Sequence, residues 1–241
     1  MKALVENQRA ALELSRIDTE ISKINHQISQ LPEIAEIKAA TLDFNNSRDL
    51  RIAAETELKD VQREISRAEG DVEQIVSRIE RDEKRLNSGQ GAAKELEQLQ
   101  HELGTLALRR KELEEIELDI MVRADDIKVR IEALVKEEAD AHSRISDAEI
   151  RKENAMERLS SELEKFTTQR GSVVAKVGSE LTTIYEKVRA DRGVGAAALS
   201  EGKCNGCNLA INAVELTRIK GLPDDEVVRC EECRCILVRG A

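Results

Sequence analysis

Aromatic residues are almost missing from this chain: two phenylalanines, one tyrosine and no tryptophan among 241 residues, about 1% of the total. Large aromatic side chains dominate ordinary cores, so a conventional globular core of this size is excluded. Proline is nearly as scarce. It occurs only at Pro32 and Pro223, which leaves residues 33 to 190 free of the one residue that reliably breaks a helix. No apolar run reaches 18 residues and no basic-then-apolar segment opens the sequence, which argues against a membrane span or a signal peptide and leads to the expectation of a cytoplasmic protein. Histidine is confined to His26, His101 and His142. All three are scattered along helical sequence, whereas a general base needs a pocket and an orienting partner. The acidic pairs Asp125-Asp126 and Glu137-Glu138 diverge around a helix instead of converging on a metal. No glycine-rich loop follows a strand to cradle a phosphate. The expectation is a protein that is not an enzyme.

What is present in quantity is charge, 36% of residues, mixed with Leu, Ile and Ala in the proportions of long helices and coiled coils. Alternate steps of three and four residues from Leu96 to Phe166 visit twenty-one positions, of which sixteen are apolar. The same stepping from Ile37 to Leu86 visits fifteen positions, of which twelve are apolar. A repeat of 3.5 residues is the signature of a supercoiled seam, and two seams need each other. Between them lies Asn87-Ser88-Gly89-Gln90-Gly91, a cluster of turn formers that reverses the chain and makes the helices antiparallel neighbours. The first helix has its own seam through Ala10, Leu14, Ile17, Ile21, Ile24, Ile28 and Leu31, broken or kinked at Pro32, and is expected beside residues 151 to 173. At 1.5 Å per residue the stretch from Ile37 to Leu86 alone spans roughly 75 Å, so the expected shape is a rod. The third helix is expected to continue through Val173, Val177, Leu181, Ile184 and Val188 to a glycine C-cap at Gly193. Its last part has outrun its partner and is expected to pack on the ribbon or on another chain.

Four cysteines near the C-terminus form two Cys-x-x-Cys pairs, Cys204-Asn-Gly-Cys207 and Cys230-Glu-Glu-Cys233, separated by 22 residues. Each such turn aims two thiolates at one ion, and two turns complete a closed tetrahedron, so the pattern reads as one structural zinc per chain. The gap slightly exceeds the usual spacing, which a short helix between the knuckles absorbs. A thioredoxin-like redox reading needs a single Cys-x-x-Cys in a βαβ setting, which is absent. Cys235, two residues beyond Cys233, is read as a bystander thiol. Leu209-Ala210-Ile211, Glu226 to Arg229 and Ile236-Leu237-Val238 are expected as strands, and Asn212 as the N-cap of a helix from Ala213 to Lys220 ended by Gly221 and Pro223. The expected fold is mainly α, with an elongated antiparallel coiled-coil hairpin over residues 1–193, its tip near 87–91 and its kink near 32. A small β-rich C4 zinc ribbon follows over residues 194–241.

These residues resemble a family of bacterial proteins that join an N-terminal helical hairpin to a C4-type zinc ribbon and are described as predicted nucleic-acid-binding proteins. The specific marks are the two knuckles, the Val227-Val228-Arg229 strand, Ile236-Leu237 and the tip segment Lys94 to Glu102, which is similar to the family's Lys-Glu-x-x-x-Leu-Gln-x-Glu. Where the family commonly has Cys-Gly-Arg after the second knuckle, this chain has Cys233-Arg234-Cys235, so a less regular second knuckle is expected. The resemblance implies a non-enzymatic adaptor, with some relatives connected to transcription and secretion systems.

Charge distribution weighs on the nucleic-acid label. Residues 1–77 carry −5, 78–111 carry +2, 112–150 carry −8, 151–200 carry +2 and 201–241 carry −1. The ribbon is not basic, and no aromatic lies beyond Tyr185 to stack a base. Two modest cationic groups remain as candidate partner-binding residues: Arg78, Arg81, Lys84, Arg85 and Lys94 around the tip, and Lys187, Arg189, Arg192 and Lys203 beside the ribbon. Read blandly, both are solvated helix faces with intrahelical ion pairs. Two functional readings follow. One is an adaptor that holds RNA or DNA; the other is a protein–protein scaffold or chaperone-like spacer. A protein partner is expected in both, with no membrane and no small-molecule substrate.

Overall fold

Helix accounts for 78% of the chain. The computed structural model describes residues 1–240. The helices are α1 (Val5–Ser29), α2 (Pro32–Asn87), α3 (Ala93–Val177), α4 (Ser179–Arg192) and α5 (Ala213–Lys220); the strands are β1 (Ala196–Ser200), β2 (Lys203–Cys204), β3 (Val228–Arg229) and β4 (Ile236–Val238). The break between α1 and α2 falls at Gln30 and Leu31. Pro32 opens α2, in the turn where a missing N–H costs nothing because that donor has no intrahelical partner. At the tip, Gly89 and Gly91 take φ of 62° and 150°, and Glu95 Oε2 accepts from the Ala92 N–H at 3.3 Å to start α3.

The chain packs as two units, Ala35–Glu149 and Met1–Ile34 with Ile150–Ala241. Within Ala35–Glu149, α2 buries Ala40, Ser47, Ala54, Val61 and Ala68, each seven residues from the last. From α3, Leu106, Leu113, Ile127, Leu134, Ala141 and Ala148 answer at the same interval or its double. The small residues of α2 let the helices approach, and the larger ones of α3 fill the seam, the knobs-into-holes arrangement that a heptad repeat imposes. Flanking charges pair across the seam in antiparallel order: Arg123 with Glu64, Arg130 with Glu57, and Arg144 with Asp43 at 3.0 Å.

The other unit has a core that is not periodic. Ala11, Leu14, Val177, Leu181 and Tyr185 are sealed from solvent together with Ile236 and Val238 of β4. Ile24 of α1, and Leu31 in the break that follows it, pack on Leu159 of α3, within the stretch expected beside this helix. The single long third helix that was expected is two helices. Gly178, at φ 85°, ends α3, and Asn7 Nδ2 caps the freed Lys176 carbonyl at 2.6 Å. The apolar rhythm Val173, Val177, Leu181 runs straight through this break, so periodicity could not register it. Gly193, at φ 81°, is the left-handed C-cap of α4, as expected. Tyr185 demands a further glycine, because a Cβ on Gly195 would lie 2.4 Å from its ring.

The strands form one sheet in the order β2-β1-β4-β3. β1 runs parallel to β4, and the other pairs are antiparallel. β4 and β3 lie within the segments expected to be extended. Leu209–Ile211 is not a strand: Ala210 makes only an isolated bridge to Lys203. The place beside β4 is taken by β1, whose sequence Ala-Ala-Ala-Leu-Ser has little β propensity. It is extended because both its neighbours offer backbone partners.

Candidate metal centre

Each knuckle is a backbone turn with the same hydrogen bonds. In the first, the Cys204 N–H donates to the Leu209 carbonyl at 3.0 Å and the Asn208 N–H donates to the Cys204 carbonyl at 2.7 Å. In the second, the Cys230 N–H donates to the Cys235 carbonyl at 3.0 Å and the Arg234 N–H to the Cys230 carbonyl at 2.9 Å. Residue follows residue, so Asn208 corresponds to Arg234 and Leu209 to Cys235. The residue after the second cysteine is left-handed in both turns, with φ 59° at Asn208 and 63° at Arg234. Asparagine tolerates that region; arginine does so at a cost of about 1 kcal/mol or more. The second knuckle therefore keeps the regular shape, and Arg234 takes the conformation for which glycine is suited.

The four sulfurs of Cys204, Cys207, Cys230 and Cys233 all lie within 4.8 Å of one another. Cys204 Sγ is 3.8 Å from Cys233 Sγ, and Cys207 Sγ is 3.9 Å from Cys230 Sγ. A tetrahedron with zinc–sulfur bonds of about 2.3 Å has edges of about 3.8 Å. The donor set and its spacing thus fit one structural zinc, and the spacing is wrong for disulfides, which need about 2.05 Å. Four thiolates would close the coordination sphere and leave no position for a substrate. Burial raises Cys230 to about 12. At Cys233 burial also acts upward, but the Cys235 N–H and the neighbouring thiols outweigh it and bring the group down to about 7. Within the second knuckle, Cys233 is thus shifted toward the thiolate that a metal requires and Cys230 away from it.

Cys235 is fully buried, with its sulfur 3.5 Å from that of Cys204 and 3.4 Å from that of Cys233. Its environment is the ribbon core of Val188, Ala197, Ile219, Val228 and Leu237, and its position is that of an apolar leucine in the first knuckle. Gly206 fits closely here, since a Cβ would come within 3.1 Å of Ala197 and 3.2 Å of Cys235 Sγ. The helix expected between the knuckles is α5, and Asn212 caps it: its Oδ1 accepts from the Glu215 N–H at 2.8 Å. Glu215 then chelates Arg218, whose hydrogen bonds hold that carboxyl below its usual range.

The candidate partner-binding cations fare differently from one another. Arg78 is held by Glu102 and Asp82, and Arg81 donates to the Ser77 carbonyl at 3.2 Å. Arg189, 31% exposed, reaches Asp18 at 3.0 Å and Glu186 at 3.4 Å. Arg192 pairs with Asp191 at 3.2 Å. Lys84, Arg85, Lys94 and Lys187 have no ion pair among the described residues.

Asp18 is the centre that sequence reasoning missed. Its side chain is only 4% exposed, and it accepts from Arg170 at 2.7 Å and from the Tyr185 hydroxyl at 2.6 Å besides pairing with Arg189. Burial, then the Asp18 hydrogen bond, push the tyrosine hydroxyl well above its ordinary range; the Asp18 hydrogen bond chiefly does the same for the Arg170 guanidinium. Three cation or hydroxyl donors on one carboxylate clasp α1, α3 and α4 together. The one available signal was Tyr185, the only tyrosine in the chain.

Comparison with known proteins agrees with this architecture. Residues 14–193 match the model of the CT398-like coiled coil hairpin domain, and residues 203–237 match that of the C4-type zinc ribbon domain. A Mycobacterium tuberculosis protein, Rv2229c, is 32% identical over 243 residues, covering 99% of this chain and 98% of its own. A solved structure from Mycobacterium smegmatis is similar with a TM-score of 0.84 at 30% identity, covering 99% of this chain and 100% of the other. The structure of CT398 from Chlamydia trachomatis shares the fold with a TM-score of 0.69 at 17% identity, over 97% of each chain. With both the hairpin and the ribbon matched, this chain belongs to the family of CT398-like coiled-coil hairpin proteins that carry a C4-type zinc ribbon.

Proposed function

We propose that the protein is a non-enzymatic, cytoplasmic adaptor whose hairpin and ribbon each hold a protein partner. The observation that carries this reading is the state of the cations. Arg78 and Arg189, one from each group of candidate partner-binding cations, are held by carboxylates of the protein itself, Glu102 and Asp82 in one case and Asp18 and Glu186 in the other. A guanidinium so engaged has little left to offer a phosphate, and nucleic-acid affinity depends on such neutralisation. The zinc supports the same reading, because a closed set of four thiolates organises a small fold and leaves no site for chemistry. No helix of the described residues is long and apolar enough to cross a membrane.

Lys84, Arg85 and Lys94 favour the second reading, in which the tip touches RNA or DNA. Affinity purification from native cells, with and without nuclease, separates the two. Protein partners that survive nuclease support the scaffold; partners lost with it support the nucleic-acid adaptor. Binding of RNA or DNA by the purified chain at low salt, abolished by Lys84→Glu, Arg85→Glu and Lys94→Glu together, would overturn the scaffold reading.

A further inference from the structure

On a two-helix coiled coil, the row opposite the seam faces water and is normally polar. In α2 that row, two residues beyond each seam position from Ala40 to Ile75, reads Leu42, Asp49, Thr56, Arg63, Gly70 and Ser77, with one exposed aliphatic, Leu42, among its six members. The matching row of α3 reads Leu108, Glu115, Val122, Val129 and Lys136. Val122 is 60% exposed and Val129 65%, while Leu118, one turn before Val122, is 60% exposed. Met121 lies beside them at 44% exposure. Single exposed aliphatics need no explanation, but these four occupy one outward face over about three turns. Helix propensity does not explain them either, since a β-branched valine is poorer than the Lys or Glu common elsewhere on this helix.

A second row lies alongside. Asp119 and Asp126 stand three residues before Val122 and Val129; the next position in that seven-residue register is Ala133, after which Asp140 and Asp147 resume it. None of these four aspartates has an ion pair among the described residues. Arg123 and Arg130 lie on the same side of the helix, four residues after Asp119 and Asp126, but together with Arg144 they pair across the seam with Glu64, Glu57 and Asp43 instead. What α3 presents outward is therefore an aliphatic row beside an acidic row with the same seven-residue period, in a segment of net charge −8.

We infer that the outward face of α3 from Leu118 to Val129, with Asp119 and Asp126, is a docking surface for a basic amphipathic helix of a partner protein. The inference rests on the protein-adaptor reading and adds the partner's chemistry. A helix with aliphatic residues in heptad phase buries Leu118, Val122 and Val129. Lys or Arg one position over then meets the acidic row, which also steers the encounter. A second copy of this chain would bring aspartate against aspartate, and nucleic acid would bring phosphate.

The test uses the full zinc-loaded chain and a labelled synthetic peptide of about three heptads with Leu in the seam positions and Lys flanking them. A peptide of the same composition in scrambled order and one with Glu replacing Lys are the controls, read by fluorescence anisotropy. The phased basic peptide is expected to bind, with about a tenfold or greater loss for Val122→Gln with Val129→Gln, and for Asp119→Asn with Asp126→Asn, a loss corresponding to 1.4 kcal/mol or more. Arg63→Gln on the outward row of α2 is expected to change nothing. Circular dichroism and zinc content should match the parent in every variant. Equal binding of the scrambled peptide, or unchanged binding by the α3 variants, overturns the inference. So does a parent dimer in sedimentation equilibrium that the valine variants dissolve, which assigns the face to a second copy. Protein partners recovered after nuclease treatment would leave the adaptor reading intact in all those cases.

Discussion

The unit Ala35–Glu149 and the unit built from the chain ends are held together by different means. In the former, Ala54, Val61, Ala124, Ile127 and Leu134 form a narrow seam, and exposed ion pairs such as Arg130 with Glu57 line its sides. Every heptad repeats the last, so no single residue is decisive. In the latter, the Asp18 carboxylate with the buried Tyr185 hydroxyl, and one four-sulfur cluster, are single contacts that do not recur from heptad to heptad. Stability there is concentrated in a few contacts, and their loss is not shared among repeats.

Metal removal should show the contrast most strongly. Structural zinc contributes about 10 kcal/mol or more to such modules, so chelation, or Cys233→Ser, is expected to unfold the ribbon. Circular dichroism should retain the signal of the seam helices, since their contacts include no metal ligand. Cys235→Ser is expected to keep one zinc per chain by metal analysis, with lower stability from a hydroxyl in an apolar site; loss of the metal would place Cys235 among the ligands.

Next in size is Asp18→Ala. Removing one member of a buried charge cluster costs about 3–5 kcal/mol, because Arg170 and Arg189 lose the carboxylate that offsets their desolvation. Urea denaturation followed by Tyr185 fluorescence should report it, as this is the only tyrosine and it lies within the cluster. A change under about 1 kcal/mol, the value of an exposed pair, would erase the distinction drawn between the two units.

Arg234→Gly is expected to act in the opposite direction. It relieves a left-handed arginine and should stabilise the zinc-loaded ribbon by about 1 kcal/mol, seen as a higher Tm with unchanged zinc content. A lower Tm would mean that the arginine side chain contributes more than its backbone costs.

The smallest effect is expected in the hairpin. A double-mutant cycle on Arg130→Ala and Glu57→Ala should give a coupling of about 0.2–1 kcal/mol that fades with added salt. Both side chains are about half exposed, at 52% and 53%, so water already screens them. A coupling near that of the Asp18 cluster would show that the hairpin, too, depends on particular residues.

Legibility in the sequence follows the same division. Seam positions such as Ala54, Val61, Ile127 and Leu134 were found by counting, because a heptad pattern fixes which face is buried whatever the partner. The α5 cap at Asn212 and the C-cap at Gly193 were equally readable, since a cap is a matter of three or four neighbouring residues. The knuckles were readable because thiolate chemistry fixes both residue type and spacing. The break at Gly178 was hidden by an apolar rhythm that continues through it. β1 was hidden because Ala196-Ala197-Ala198 has no strand character of its own. The Asp18 cluster was hidden because its members are separated by 152 and 167 residues, and nothing local marks an aspartate on an amphipathic helix as buried.

The heptad faces, the hairpin turn and the pattern of metal ligands could thus be read along the chain, because each is a consequence of interactions within one heptad or one turn. Pairing of Arg189 with Asp18, the place of Ala196–Ser200 as a strand between β2 and β4 and the left-handed backbone of Arg234 could not. Each of these is imposed by groups distant along the chain. Burial of a charge, pairing of a backbone edge and closure of a tetrahedron are satisfied only when both halves of the contact are in place.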